Sequence, residues 1–536
     1  MHCRMFLPRG KAARPAASLG LGRSVRGTRR IACRDRFRLL AGGLVACCCI
    51  VSARADDPAD LHYGWQYLEE ADGRVFQRVI EITPRAIPAP SVLGRPGRRV
   101  RTVPDGNAAL YYLRAAGFVG RDYDRTNYLK RLQDARKQTP NAWIASRLPQ
   151  WWCFVPFDTF PAKQVEQILE PAAFQTRWWK QAVQQRNCWF GDHARLGTDP
   201  RGAPTTYLFG LREMATLHAL RYRMALHRGQ LDKARRLLED LRVFQQHAVQ
   251  YDRPAARWLR DWVDRHVEQA TWDMIGHPAG ESQYWQLLAR LPMLSAGRSS
   301  SSASTDVIPT GCRELMAVDL NPRPAAYWHT FIRRLSAELQ RSSRGLRIGR
   351  LPSDDDLAAA RIVALIAANY PDARAYLIRE EHISPEVIDR CPTAQVVLFA
   401  VRRIFERFHR TCRAIEVLPL DEARQQNDRL MQEFYWKDHW KSAVASLFEY
   451  DVTIRRRVEA AQTAVLQVAV EVLRDELASK GKFPPRLDGT KFPVPKDPAT
   501  GARLEYRIVN GRAVLSAPRL WGAVRRVVVA AREEMK

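Results

Sequence analysis

Apolar residues at helical spacing run through most of this chain and confine it to an architecture of packed helices. Leu217, Leu220 and Met224 share one helix face, followed by a break at Arg228-Gly229-Gln230. After it, Leu237, Leu238, Leu241, Phe244 and Ala248 form a second stripe. Two amphipathic stretches around a glycine turn predict an antiparallel helical hairpin. The spacing recurs at Val458, Ala461, Val465, Val468 and Val472, which predicts a long helix over 456–479.

The pattern changes after that helix. Lys480-Gly481 ends it, and Phe483-Pro484-Pro485, Pro493, Pro495 and Asp497-Pro498 mark a rigid extended stretch. Residues 504–509 and 512–516 flank Asn510-Gly511, a pair that readily adopts positive φ at both positions. This predicts a β-hairpin with a type I′ turn. The expected fold class is mostly α, with helical hairpins in a possible solenoid-like stack and a small α+β C-terminal module.

Composition shifts divide the chain. Residues 1–55 read as an export signal and 56–104 as an irregular N-terminal segment. Within the latter, 60–77 suggests one helix before Pro84, Pro88, Pro90, Pro96 and Pro104 break the pattern. Residues 105–294 read as a helical domain holding the repeat-like hairpin. Its Trp143, Trp151, Trp152, Trp178, Trp179 and Trp189 are expected as core anchors, with a carbohydrate platform as the functional alternative. Residues 295–308 are a Ser-rich linker. Residues 309–455 form a second helical region, in which Ser353 and Asp354-Asp355-Asp356 suit the start of a helix. The tail, 456–536, is the helix plus β-hairpin module.

The N-terminal reading rests on charge and length. Residues 1–55 carry twelve Lys/Arg against the single acid Asp35, then an apolar run over 39–51 and Ala53-Arg54-Ala55. This is the basic, apolar and small-x-small order of a secretory signal. The run of 13 residues falls short of the roughly 20 that span a bilayer. Cleavage is expected after Ala55, with Ala53 and Ala55 as the small residues and Asp56 as the new N-terminus. Lipidation at Cys47, within Leu44-Val45-Ala46-Cys47, and a retained anchor are the alternatives. Thr28-Arg29-Arg30 hints at a twin-arginine signal, and Met5 is an alternative start.

Of the formal charge of +28, residues 1–55 hold +11, which leaves +17 on the remainder. Only 13 of the 85 cationic residues are lysine, and the arginines are scattered among acids. The clusters Arg95/Arg98/Arg99/Arg101 and Arg455-Arg456-Arg457 do not alternate with aromatics, so no nucleic-acid partner is expected. Anionic envelope polymers and envelope proteins are the expected partner classes. Membrane contact is expected only through the N-terminal signal or a lipidated Cys47. Beyond residue 55 the cysteines are Cys153, Cys188, Cys312, Cys391 and Cys412. They lack metal-ligand spacing and read as buried apolar residues.

Chemistry-bearing motifs are sparse. HExxH, P-loop, nucleophile-elbow and dinucleotide-glycine patterns are missing beyond residue 55, and no cofactor or metal is expected. Asp192-His193 near Cys188 offers a Cys/His pair. Asp438-His439 between Trp436 and Trp440 offers a His–carboxylate pair. Glu380-Glu381-His382 sits at a predicted helix end, and His218 and His227 lie on one helix without ligand spacing.

Three resemblances add architecture. Residues 225–241, with Gly229 in the turn and Ala234 and Leu238 at packing positions, resemble the middle of a tetratricopeptide repeat. Residues 456–516 resemble the C-terminal part of type II secretion pseudopilins, through Phe483-Pro484, Asp497-Pro498 and Leu504-Glu505-Tyr506. The N-terminal methylation segment of that family is not found at this helix. The whole chain resembles a group of uncharacterised exported helical proteins of planctomycete-type bacteria. The residues behind this are Asn107-Ala108-Ala109-Leu110-Tyr111-Tyr112, the hairpin at 228–241, Gln395-Val396-Val397-Leu398 and the Phe-Pro/Asp-Pro tail. These features point first to a non-catalytic scaffold or protein-binding protein of the periplasm or cell envelope. An envelope hydrolase with a dispersed active site and a secretion-apparatus component are the alternatives.

Overall fold

A computed structural model describes residues 64–70, 73–89, 106–116, 125–139, 148–190, 206–250, 254–295, 313–346, 355–433 and 451–532. The export-signal residues, including Cys47, Ala53, Ala55 and Asp56, lie outside the described residues, as does most of the Ser-rich linker.

The chain is mostly helical, with a small mixed sheet. In the first half, α1 (Ala108–Ala115), α2 (Arg125–Gln138), α3 (Ala162–Leu169) and α4 (Gln175–Ala182) pack beside α5 (Thr206–His227), α6 (Leu231–Val249) and α7 (Pro254–Gly276). The predicted hairpin is α5–α6. Gly229 makes its turn at φ 68°, a left-handed conformation that glycine adopts without steric cost. Leu217, Leu220, Leu238, Leu241 and Phe244 are all buried in the first core. Each such side chain contributes roughly 1.5–3 kcal/mol over leaving it exposed.

The second half runs α8 (Tyr284–Ser295), α9 (Arg313–Met316), α10 (Ala325–Leu346), α11 (Asp355–Arg379), α12 (Pro385–Asp389), α13 (Thr393–Glu416) and α14 (Leu420–Met431). A second core lies mainly among α10, α11, α13 and α14. The long helix predicted near the C-terminus is α15, Asp451–Lys480. It packs against α7, α8, α14 and the sheet, and every residue from 461 to 477 is buried. A helix enclosed on all sides must satisfy its polar residues internally.

Those polar residues tie distant segments together. Arg474 donates to Thr83 O (3.3 Å), to Gly280 O (3.1 Å) and to Glu471 (3.2 Å). Glu471 accepts from Gln283 N at 3.1 Å, and Asp475 accepts from Ile87 N at 2.7 Å. Gln462 donates to Asp497 at 2.9 Å and to Pro518 O at 3.1 Å. The buried Asp497 of the Asp-Pro motif also accepts from Ala499 N and Thr500 N, which closes its own turn.

The sheet corrects the reading of the N-terminal segment. Residues 66–70 and 73–77 are extended rather than helical. β1 (Gln66–Glu70) and β2 (Gly73–Ile82) form a hairpin in the stretch expected to be irregular. The tail supplies β3 (Glu505–Val509), β4 (Arg512–Ser516) and β5 (Ala523–Ala531), in the order β1-β2-β5-β4-β3. β2 pairs with β5 in parallel, and the other neighbours are antiparallel. The tail is therefore not self-contained, because the two ends of the chain share one sheet. The cause is legible in β2. Arg78, Ile80 and Ile82 alternate onto the buried face that meets α7, where a helix would scatter them. The Asn510-Gly511 turn has φ 49° and 74°, as a type I′ turn requires.

Candidate functional site

The joining of the two chain ends creates a cleft of about 300 Å³ on the sheet, lined by Glu70, Glu505, Tyr506, Arg507, Val514, Ser516 and Arg526. Register explains the set. Arg526 on β5 lies opposite Ser516 on β4, and Ser516 lies opposite Glu505 on β3. Arg507 sits one step along the same face, opposite Val514. Glu70, at the end of β1, makes a two-pronged ion pair with Arg526 at 2.6 and 3.1 Å. Planar guanidinium–carboxylate pairs of this kind fix orientation as well as charge. The lining contains no histidine or cysteine, so its chemistry is ion pairing and hydrogen bonding.

The cleft abuts the β3 edge of the sheet. A two-residue turn makes Val509 and Arg512 a hydrogen-bonded pair, so the N–H groups of Glu505, Arg507 and Val509 face β4. Those of Tyr506 and Ile508 then point to the open edge. Ile508 is 45% exposed and Val509 42% exposed, an apolar surface on an edge strand. Tyr506 stands firmly below this edge, because its hydroxyl donates to Pro484 O at 2.7 Å.

Buried, charge-perturbed groups lie away from this cleft. Arg223 pairs with Asp273 at 2.9 Å, both nearly inaccessible, and also donates to Trp152 O and Val155 O. Burial pushes the Asp273 carboxyl up, against the opposing pull of Arg223 and Arg78. Burial also raises Glu459, but Arg456, Arg525, Arg455 and Arg265 outweigh it and hold the carboxyl at about 2. Burial pushes His266 down to about 3, with Arg212 and Arg265 adding to the effect.

Among the described residues, those singled out from sequence do not converge. His218 is buried flat against Trp179, with ring centroids 4.0 Å apart, and its Nε2 meets Leu237 O. His227 lies against Phe157 and Phe160. Glu381 accepts from Tyr376 and Arg403, and Glu380 from Arg407, so both are paired rather than simply solvated. His382 ends that helix region at φ 57°. Cys153, Cys188, Cys391 and Cys412 are buried. Asp192, His193, Trp436, Asp438, His439 and Trp440 lie outside the described residues, as do Cys312 and Ser353. Among the described residues, no helix is long and apolar enough to cross a membrane and no side-chain group has metal-site geometry.

Sequence reading missed Glu70 and Arg526 because it placed neither on a strand. The signal was there in the β-branched run Val524, Val527, Val528 and Val529. No protein family, curated protein or solved structure matches the chain.

Proposed function

We propose that this chain is an exported, non-catalytic scaffold of the cell envelope that holds a protein partner at its sheet. The observation that carries the reading is the β3 edge. It offers outward main-chain groups at Tyr506 and Ile508, exposed apolar side chains and an adjoining charged cleft. An extended partner segment adds to such an edge by main-chain hydrogen bonds, while alternate side chains meet the neighbouring pockets. Here the cleft supplies carboxylates from Glu70 and Glu505 and guanidinium groups from Arg507 and Arg526. The rigid support comes from α15, whose buried polar residues fasten the segments around the sheet.

The test is affinity purification of the tagged protein from its native envelope fraction, with mass spectrometry of the mature N-terminus and of retained proteins. The reading expects a start at Asp56 and a stoichiometric partner. Ile508→Pro removes an outward N–H without breaking the β3–β4 ladder, and it is expected to release that partner while Ile508→Ala weakens it less. Retention unchanged by Ile508→Pro refutes the edge site.

A further inference from the structure

A second surface, on the first helical half, carries chemistry that the sheet site does not use. Trp178 on α4 is half-buried, and two guanidinium groups lie against its ring, Arg114 at 4.8 Å and Arg177 at 5.2 Å from the centroid. Tyr111 stacks beside it at 6.4 Å and 25°. Among the described residues, neither Arg114 nor Arg177 has a carboxylate partner, and Arg177 is exposed. A ring that holds two cations by cation–π attraction keeps their planar donors oriented.

At the other end of α1 stands Trp189, 69% exposed, the most exposed of the large apolar side chains among the described residues. Its position is fixed rather than loose. The Asn107 side chain accepts from Trp189 N at 2.8 Å and donates to Trp189 O. The same Asn107 oxygen accepts from Ala109 N and so caps α1. One amide thus sets both the helix start and the main-chain position of Trp189. Asn107 and Arg114 are seven residues apart, or roughly 10 Å along a helix.

We infer that this face binds an anionic glycan, a chain of carboxylated sugars. The Trp189 ring offers a flat apolar face to the C–H side of one sugar, while Arg114 and Arg177 take the carboxylates of the next units. A sugar chain combines apolar faces with regularly spaced anions, and this patch combines an exposed indole with two guanidinium groups held against a second ring. Among the described residues, none of the sheet strands borders it, so a peptide would find no strand edge to extend here. The net charge of the chain attracts such a polymer from a distance.

The test is titration of the purified full-length protein with polygalacturonate oligosaccharides, read by calorimetry and tryptophan fluorescence. Binding is expected to weaken at least tenfold in Trp189→Ala and in the double variant Arg114→Gln/Arg177→Gln. Both sets of side chains are at least partly exposed, and melting of the variants checks that the fold is retained. Neutral dextran is expected not to bind. Absence of binding to polygalacturonate overturns the inference. So does equal binding of polyglutamate, which would make the effect one of charge alone, and so does tighter binding of single-stranded DNA. Variants that bind as well as the parent place any glycan site elsewhere and overturn it too. None of these outcomes depends on the β3 edge.

Discussion

Replacing Arg474 by Met tests how the long buried helix holds the molecule together. The side chain is inaccessible, and its guanidinium joins Glu471, Thr83 O and Gly280 O. Met fills similar space but leaves Glu471 buried without its cationic neighbour and strands the Thr83 carbonyl, whereas Gly280 O keeps its bond from Arg85 at 2.6 Å. Breaking a buried ion pair in this way costs about 3–5 kcal/mol. Glu471→Gln in the same background removes the uncompensated charge and keeps an acceptor for Gln283 N. The double variant is therefore expected to regain about 2 kcal/mol over the single one.

The sign of the pH dependence follows from the same geometry. Burial already pushes the Glu471 carboxyl above its usual range, with Arg474 opposing. Without Arg474 it rises further, so the folded variant binds more protons than the unfolded chain. Its stability then falls as pH rises from the ordinary glutamate value through the folded one. The deficit is largest at neutral pH and shrinks in mild acid. Urea denaturation at pH 7 and pH 5 measures the magnitude, and hydrogen exchange at residues 83–87 and 280–283 measures local release. A single variant within about 1 kcal/mol of the parent refutes the reasoning, as does a double variant no more stable than the single one.

Other outcomes follow from individual positions. Gly229→Ala is expected to lower stability by about 1–2 kcal/mol through backbone strain alone, because a Cβ there meets nothing within 4 Å; a thermal melt reads it. Burial raises the Glu459 carboxyl, but its arginine neighbours hold it at about 2. Its stabilisation, on the order of 2–3 kcal/mol, is present above the usual glutamate range and is lost as pH falls towards 2. Glu459→Gln should flatten that acid limb in stability measurements from pH 5 to 2. Cys153 and Cys188 are about 1% exposed, with thiols pushed up chiefly by burial. Alkylation of native protein should spare both and label them only after denaturation, as peptide mass spectrometry can show.

The helices were readable because their signal is local. Leu237, Leu238, Leu241 and Phe244 lie within two turns of one another, and Asn510-Gly511 announces its own turn. The sheet was not readable because its central pairing joins residues about 450 positions apart, Val79 with Val528. Nothing near Val79 names that partner. The apolar stripe of α15 was visible, but its opposite face was not. Gln467, Glu471, Arg474 and Asp475 look like a solvated face until Thr83, Ile87 and Gly280 arrive from elsewhere to satisfy them. The cleft inherits this limit, because Glu70 and Arg526 meet only once the two ends pair.

That pairing underlies both the cleft and the support of the β3 edge, and a cysteine pair tests it directly. Val79 and Val528 are register partners on parallel strands. Neighbouring strands lie about 5 Å apart, within disulfide range. Val79→Cys/Val528→Cys should cross-link under mild oxidation, and digestion should release one linked peptide containing both positions. Val79→Cys/Val524→Cys, four residues out of register, should stay reduced. Failure of the first pair to link, or equal linking of the second, would contradict a sheet shared by the two ends of the chain.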